Sequence, residues 1–195
     1  MMSNRGFSTS IPTVAPKGFV VIDTETTGST ADSRVIELGM VFLSSRGTQQ
    51  KTFSTLLFGD GTNGEWYVRR VHRISQKELV GAPRFKDIAT SFLKSLEGRI
   101  VFAHNSNYDM RRLNHELALV RRRKIVEMAC TIELGKHLGF GRLSLEKAIE
   151  KFDLSRPVSH HALYDAVATG QLLRHYLGAN PDGVKEYLIN KGLQL

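Results

Sequence analysis

The chain has 195 residues, enough for one well-buried domain and too few for two of ordinary size. Its 41% hydrophobic and 24% charged residues describe a soluble globular protein, with no apolar run approaching the length of a membrane span. A formal charge of +8, from 27 Lys and Arg against 19 Asp and Glu, favours a polyanionic partner only weakly, while a single cysteine excludes a disulfide framework and a thiolate metal cluster. That cysteine, Cys130, suits a reducing compartment such as the cytoplasm, and its apolar flanks give it the role of a small packed hydrophobe rather than a nucleophile.

Residues 1–17 are rich in Ser, Thr and Pro without an apolar period, which predicts a disordered leader. The run Phe19-Val20-Val21-Ile22 reads as a short strand buried on both faces that stops at Asp23. Side chains two apart point the same way in extended backbone, so Asp23 and Glu25 project together from the carboxyl end of that strand. Two carboxylates there repel each other, and a hard divalent cation such as Mg²⁺ or Mn²⁺ relieves the repulsion by taking oxygen ligands. The alternative for the fragment alone is a polar strand exit whose Thr hydroxyls satisfy turn amides.

Further strands are predicted over residues 34–43 and 51–58, making an antiparallel meander with the first. The loop 59–64 has glycines without phosphate-loop spacing and takes no ligand. In Trp66 to Ser75, aromatic and cationic residues interleave before a short helix near Ser75–Leu79. This pattern fits a nucleic-acid strand or, equally, a solvated basic loop with Trp66 anchored in the core. A helix over 84–96 precedes a strand over 99–105, and Ser106 is expected to cap the next helix, with Met110, Leu113, Leu117 and Val120 as its buried stripe. Asp109 falls in that helix's first turn, where an acid alone is ordinary dipole compensation. Arg121 to Lys124 form a cationic turn before a fifth strand over 125–129, and two short helices follow over 131–138 and 144–152. A final helix enters near Ser159 and runs to about Leu177, and the tail 179–195 reads as a short helix that packs on the domain or meets a partner.

Taken together, Asp23-Thr24-Glu25, then His104-Asn105 with Asp109, then His160 with Asp165 resemble the DxE, HNxxxD and HxxxxD series of the DEDDh exonucleases, relatives of the proofreading subunit of the bacterial replicase. The resemblance covers residues 18–178 and implies an α/β, ribonuclease H-like fold, a mixed five-stranded sheet with helices on both faces. It implies two Mg²⁺ or Mn²⁺ ions, with Asp23 bridging them, Glu25 and Asp165 completing one and Asp109 holding the other. His160 is implied as general base, a role that suits histidine's ordinary pKa. Helical spacing would put His161 rather than His160 on the face of Asp165, so this assignment requires His160 to sit on the loop before the helix.

By the same resemblance Thr24, Thr26 and Thr27 lie against the terminal nucleotide, Asn105 supports the active-site strand, and His72 lies near the scissile end. Arg73 replaces the family's usual glycine beside His72, and this departure, with the pairing of Tyr108 and Asp109, is closer to exodeoxyribonuclease X than to the replicase subunit. The implied activity is 3′→5′ removal of nucleoside monophosphates from single-stranded DNA ends. The competitors are an exoribonuclease using the same ligands and a catalytically silent nucleic-acid-binding domain. A polymerase partner is compatible with the resemblance, although no segment of the tail indicates one.

Overall fold

The computed structural model describes residues 5–12 and 18–194. Its strands are β1 (Phe19–Thr26), β2 (Val35–Leu43), β3 (Gln49–Leu56), β4 (Ile100–Ala103) and β5 (Ala129–Cys130). Its helices are α1 (Trp66–His72), α2 (Phe85–Leu96), α3 (Ser106–Leu119), α4 (Thr131–His137), α5 (Leu145–Phe152), α6 (Ala162–Ala179) and α7 (Pro181–Asn190), with a 3₁₀ turn over Gln76–Leu79. The strands form one mixed sheet in the order β3-β2-β1-β4-β5. β1, β2 and β3 are antiparallel neighbours, and β4 and β5 run parallel to β1.

Alternation along β1 explains why helices cover both faces. Val20 and Ile22 point into one apolar layer with Phe92 of α2 and Leu113 of α3, whereas Phe19 and Val21 point into the other with Leu172, Leu173 and Tyr176 of α6. Each side chain so buried contributes about 1.5–3 kcal/mol. Asp23 and Glu25 continue the parity of Val21, so both face the α6 layer. There Gly39 of β2, the register partner of Asp23, makes room for the helix. A Cβ on Gly39 would lie 2.3 Å from the carbonyl carbon and oxygen of Ala162 and 2.4 Å from the nitrogen of Leu163. The first turn of α6 therefore rests directly on the β2 backbone.

Several expectations require correction. β1 does not stop at the acid but continues to Thr26, because β2 pairs with it through Glu25 and, past a register shift, Thr26. The fifth strand shrinks to Ala129–Cys130. Asn114 donates to the Ile125 carbonyl (2.9 Å) and accepts from its N–H (2.7 Å), taking backbone groups that a ladder would use. Ser106 is the first residue of α3 rather than its cap, and Asn105 takes the cap position at φ 69°, a left-handed conformation that Asn tolerates. Trp66 to His72 is a helix rather than a loop, and Trp66 is 63% exposed, so it does not anchor the core. The tail packs on the domain through α7, with Val184, Tyr187 and Leu188 buried and the Tyr187 hydroxyl bonded to both the N–H and the carbonyl of Cys130.

Of the leader expected to be disordered, residues 1–4 and 13–17 lie outside the described residues. Residues 5–12 are placed along β3: Leu56 N–H donates to the Gly6 carbonyl (3.0 Å) and Ser8 N–H to Thr55 Oγ1 (2.9 Å). The edge strand offers unpaired backbone groups, and this segment uses them.

Candidate active site

The two acids of β1 are joined by acids from the helices on either face of the sheet. Thr24, between them, points to the opposite side and donates its hydroxyl to Asp109 Oδ1 of α3 (2.7 Å). Asp165 comes from the first turn of α6, and its Oδ2 accepts from the backbone N–H of His160 (2.9 Å). Oxygen and ring-nitrogen atoms of Glu25, His160 and Asp165 lie within 4.8 Å of one another. Glu25, Asp165 and His160 thus gather at the carboxyl end of β1, and Asp109 approaches the same strand from the other side through Thr24.

His160 and its neighbour part company at the start of α6. His160 is exposed, at φ 56°, on the loop before the helix. His161 is the N-cap residue of α6 and is 3% exposed, so it is turned into the fold rather than toward solvent. Burial pushes its imidazole down to about 4, with the charge of Arg5 adding to the effect. At neutral pH His161 is therefore an uncharged ring, its Nδ1 lying 3.1 Å from Glu37 Oε1 without forming an ion pair.

Three residues that the sequence reading passed over complete the surroundings. Glu37 of β2 is the register partner of Glu25, is fully buried, and accepts from the N–H of Ala162 (3.2 Å) and from Arg5 Nε (3.1 Å). An acid inside the apolar run Val35–Leu43 was the available signal, but its meaning depends on the register. Arg156 donates to Asp165 Oδ1 (2.9 Å) and Glu146 Oε1 (3.2 Å), bracing Asp165 from the side away from His160. Arg5 comes from the supposed leader.

The electrostatics follow from crowding carboxylates in a place that water reaches poorly. Burial raises Asp23 well above the usual carboxylate range, and Asp109, Asp165, Glu25 and Glu37 each push it further. Glu25 is raised by burial and then by Glu37 and Asp165, against a lowering by Arg5. Burial raises Asp109 to about 7 despite the hydrogen bond from Thr24, and raises Asp165 despite Arg156. Hard oxygen donors that repel one another in a desolvated cluster fit a divalent cation, which would remove the repulsion.

A pH dependence follows. Asp109 titrates near 3.8 when unfolded and near 7 when folded, so the folded chain holds the extra proton between these values and loses stability as pH rises through the window. Asp23, Glu25 and Asp165 act in the same direction. Buried His72, His104 and His161, held down to about 4, have the opposite slope, but only below their ordinary value of 6.5. Above the histidine window the Asp109 slope is unopposed, so the melting temperature in EDTA should fall as pH rises from about 6.5 to about 7, and Mg²⁺ should reverse the fall. A flat profile would mean that the carboxylates are well hydrated.

The remaining site candidates are placed less openly than expected. Thr24 and Thr26 are buried, and the Thr26 hydroxyl bonds the Gly28 carbonyl (2.8 Å) and the Tyr108 hydroxyl (2.8 Å). Thr27 Oγ1 accepts from Arg34 N–H (3.0 Å), as a turn residue would. Asn105 is exposed and makes no side-chain cap bond. His72 is turned inward, 2% exposed, with Nδ1 accepting from Ile74 N–H (2.9 Å), so its imidazole does not face an open surface. Arg73 stands at φ 57° and ends α1, a backbone state that favours glycine, so the departure at this position costs about 1–2 kcal/mol of local strain. It adds a third exposed cation to Arg69 and Arg70, and the Arg70 guanidinium lies 5.3 Å from the centre of the Trp66 ring.

A mixed sheet with acids delivered from β1, α3 and α6 to one end defines a ribonuclease H-like α/β protein with a carboxylate centre suited to divalent metal. The exonuclease family model (RNase_T) matches residues 20–173. The DNA polymerase III subunit epsilon of Treponema pallidum (strain Nichols) is 35% identical over 156 residues, covering 76% of this chain and 71% of the relative. Among solved structures, E. coli exonuclease I in complex with a dA16 oligonucleotide has a TM-score of 0.77 at 12% identity, with 88% of this chain and 42% of that one covered. The nuclease domain of 3′hExo, a DEDDh family member bound to rAMP, has a TM-score of 0.68 at 16% identity, with 83% and 92% covered. The chain also spans 64% of the length of a full-length 3′-exonuclease of the same fold. The chain belongs to the exonuclease family, with DNA polymerase III epsilon subunits among its relatives.

Proposed function

We propose that the protein is a metal-dependent 3′→5′ exonuclease that releases nucleoside 5′-monophosphates from single-stranded DNA ends. The observation that carries this reading is the convergence of Glu25, Asp165 and the His160 ring within 4.8 Å, with Asp23 and Asp109, both raised by burial, in the same cluster of repelling carboxylates. Asp23, Glu25, Asp109 and Asp165 would hold the metal, two Mg²⁺ or Mn²⁺ ions in this reading. When bound, these ions would polarise the attacked phosphodiester, acidify a water and neutralise charge on the leaving oxygen.

The chain's own residues supply the rest. His160, exposed and outside the helix, is free to accept the proton of an attacking water, while Asp165 holds its backbone N–H. Thr24 orients Asp109, and Arg156 orients Asp165. Arg69, Arg70 and Arg73 on the exposed face of α1 supply cations for phosphates, and Trp66 a ring for a base. The α1 surface adjoins the exit of β1: Glu65 N–H donates to the Thr27 carbonyl (3.1 Å), and the hydroxyls of Tyr67 and Ser29 lie 3.1 Å apart. Thr27 and Asn105 are then the groups nearest to hand for the terminal nucleotide.

A cytoplasmic location belongs to this reading; among the described residues no helix is long and apolar enough to cross a membrane. The relatives named as polymerase subunits make a polymerase a partner to test by co-purification. Product analysis on end-labelled single-stranded DNA, mismatched duplex and matched RNA, with Mg²⁺ and then EDTA, tests the whole proposal. Stepwise 3′ shortening of DNA that EDTA stops is the expected result. Preference for RNA would make it an exoribonuclease, and no shortening of any substrate would end the hydrolytic reading.

A further inference from the structure

Arg5 lies outside every motif, yet its guanidinium reaches the edge of the carboxylate centre with its side chain only 8% exposed. Nε donates to Glu37 Oε2 (3.1 Å), and Nη2 donates to the carbonyls of His72 (2.9 Å) and His160 (2.8 Å). These acceptors belong to three separate parts of the fold: β2, the end of α1, and the loop before α6. His160 is a non-glycine residue in left-handed backbone, which sterics disfavour unless neighbours hold it. Its N–H is held by Asp165 and its carbonyl by Arg5, so the peptide groups on both sides of the residue are fixed.

We propose that Arg5 is a positioning residue, delivered by docking of residues 5–12 along β3, which clamps the His160 loop to Glu37 and to the end of α1. The inference rests on the reading of His160 as the general base. Arginine suits the task because one planar fork serves a carboxylate and two carbonyls at once, which a lysine ammonium on a flexible stem does poorly. The clamp also sets a cation against Glu37, the register partner of Glu25.

The test compares wild type with Arg5→Ala and Arg5→Lys. Hydrogen–deuterium exchange on the metal-free protein should show the 155–161 segment exchanging about tenfold faster in Arg5→Ala, with β1 and β2 unchanged. On a single-stranded oligonucleotide, kcat should fall by about 10- to 100-fold with KM within about twofold, because ordering of the base and not substrate binding is lost. Arg5→Lys should recover part of kcat, and added non-denaturing guanidinium should partly rescue Arg5→Ala. Wild-type exchange and wild-type kcat in Arg5→Ala would overturn the proposal. So would loss of protection spreading through β1 and β2 in both variants, which would make Arg5 a packing residue only. If wild type degrades no oligonucleotide, the nuclease reading fails, while the exchange comparison still decides whether the clamp exists.

Discussion

Asp23→Asn should lose at least about 10³-fold in Mg²⁺-dependent oligonucleotide degradation, about 4 kcal/mol of transition-state stabilisation, while remaining folded. The substitution is nearly isosteric, and it removes the one acid that every other carboxylate of the cluster repels. Opposite effects on catalysis and on metal-free stability are therefore expected. Degradation collapses because a carboxylate proposed to hold the metal is lost. The metal-free chain, relieved of a buried negative charge, should melt no lower than wild type at about pH 8. Circular dichroism and melting curves with and without Mg²⁺ check both halves. Undiminished degradation in a folded Asp23→Asn variant would remove the metal-assisted mechanism altogether.

Gly39→Ala should damage the site from a distance. The added methyl would meet the Ala162 carbonyl at 2.3 Å, and both atoms belong to backbone that cannot swing aside. Either α6 lifts from β2 or the strand bows, at about 1–3 kcal/mol of stability. Because α6 begins there, with His160 and His161 before it and Asp165 in its first turn, a shift approaching an ångström would displace the proposed base and a carboxylate from Asp23 together. Activity should fall by about 10²-fold. Denaturant melts and kcat measured on the same preparation check this, and a variant with wild-type kcat would show that the contact is not what sets the position of the helix start.

The legibility of the site differed from residue to residue. Asp23 and Glu25 were readable because period-two alternation at the end of an apolar run is a local property of the chain. Asp109 and Asp165 were readable only as members of a series, since each alone passes for an ordinary first-turn acid. Glu37 and Arg156 were not readable. An acid in a strand becomes part of the site only through its register with Glu25, and Arg156 matters only because a loop returns it to Asp165. The helix at Trp66–His72 escaped because it has no acid in its first turn and no side-chain cap, and its one buried residue is His72. The shortened fifth strand escaped because a side chain, Asn114, took the place of a ladder partner.

Residue order alone determined the meander of β1, β2 and β3, the apolar stripes that put helices on both faces, and the four acids with His160. The meander and the stripes rest on periodicity within a few dozen residues, whereas the acids and His160 were grouped by the resemblance of three widely separated motifs to the DEDDh series. Only the tertiary structure decided that Glu37 is buried beneath the site against Arg5 and the Ala162 N–H, that Gly39 seats α6, and that Arg5 reaches from the amino-terminal segment to the carbonyl of His160. Those contacts join residues 32 to 155 positions apart, at distances set by the packing of sheet against helix, and no local pattern encodes them.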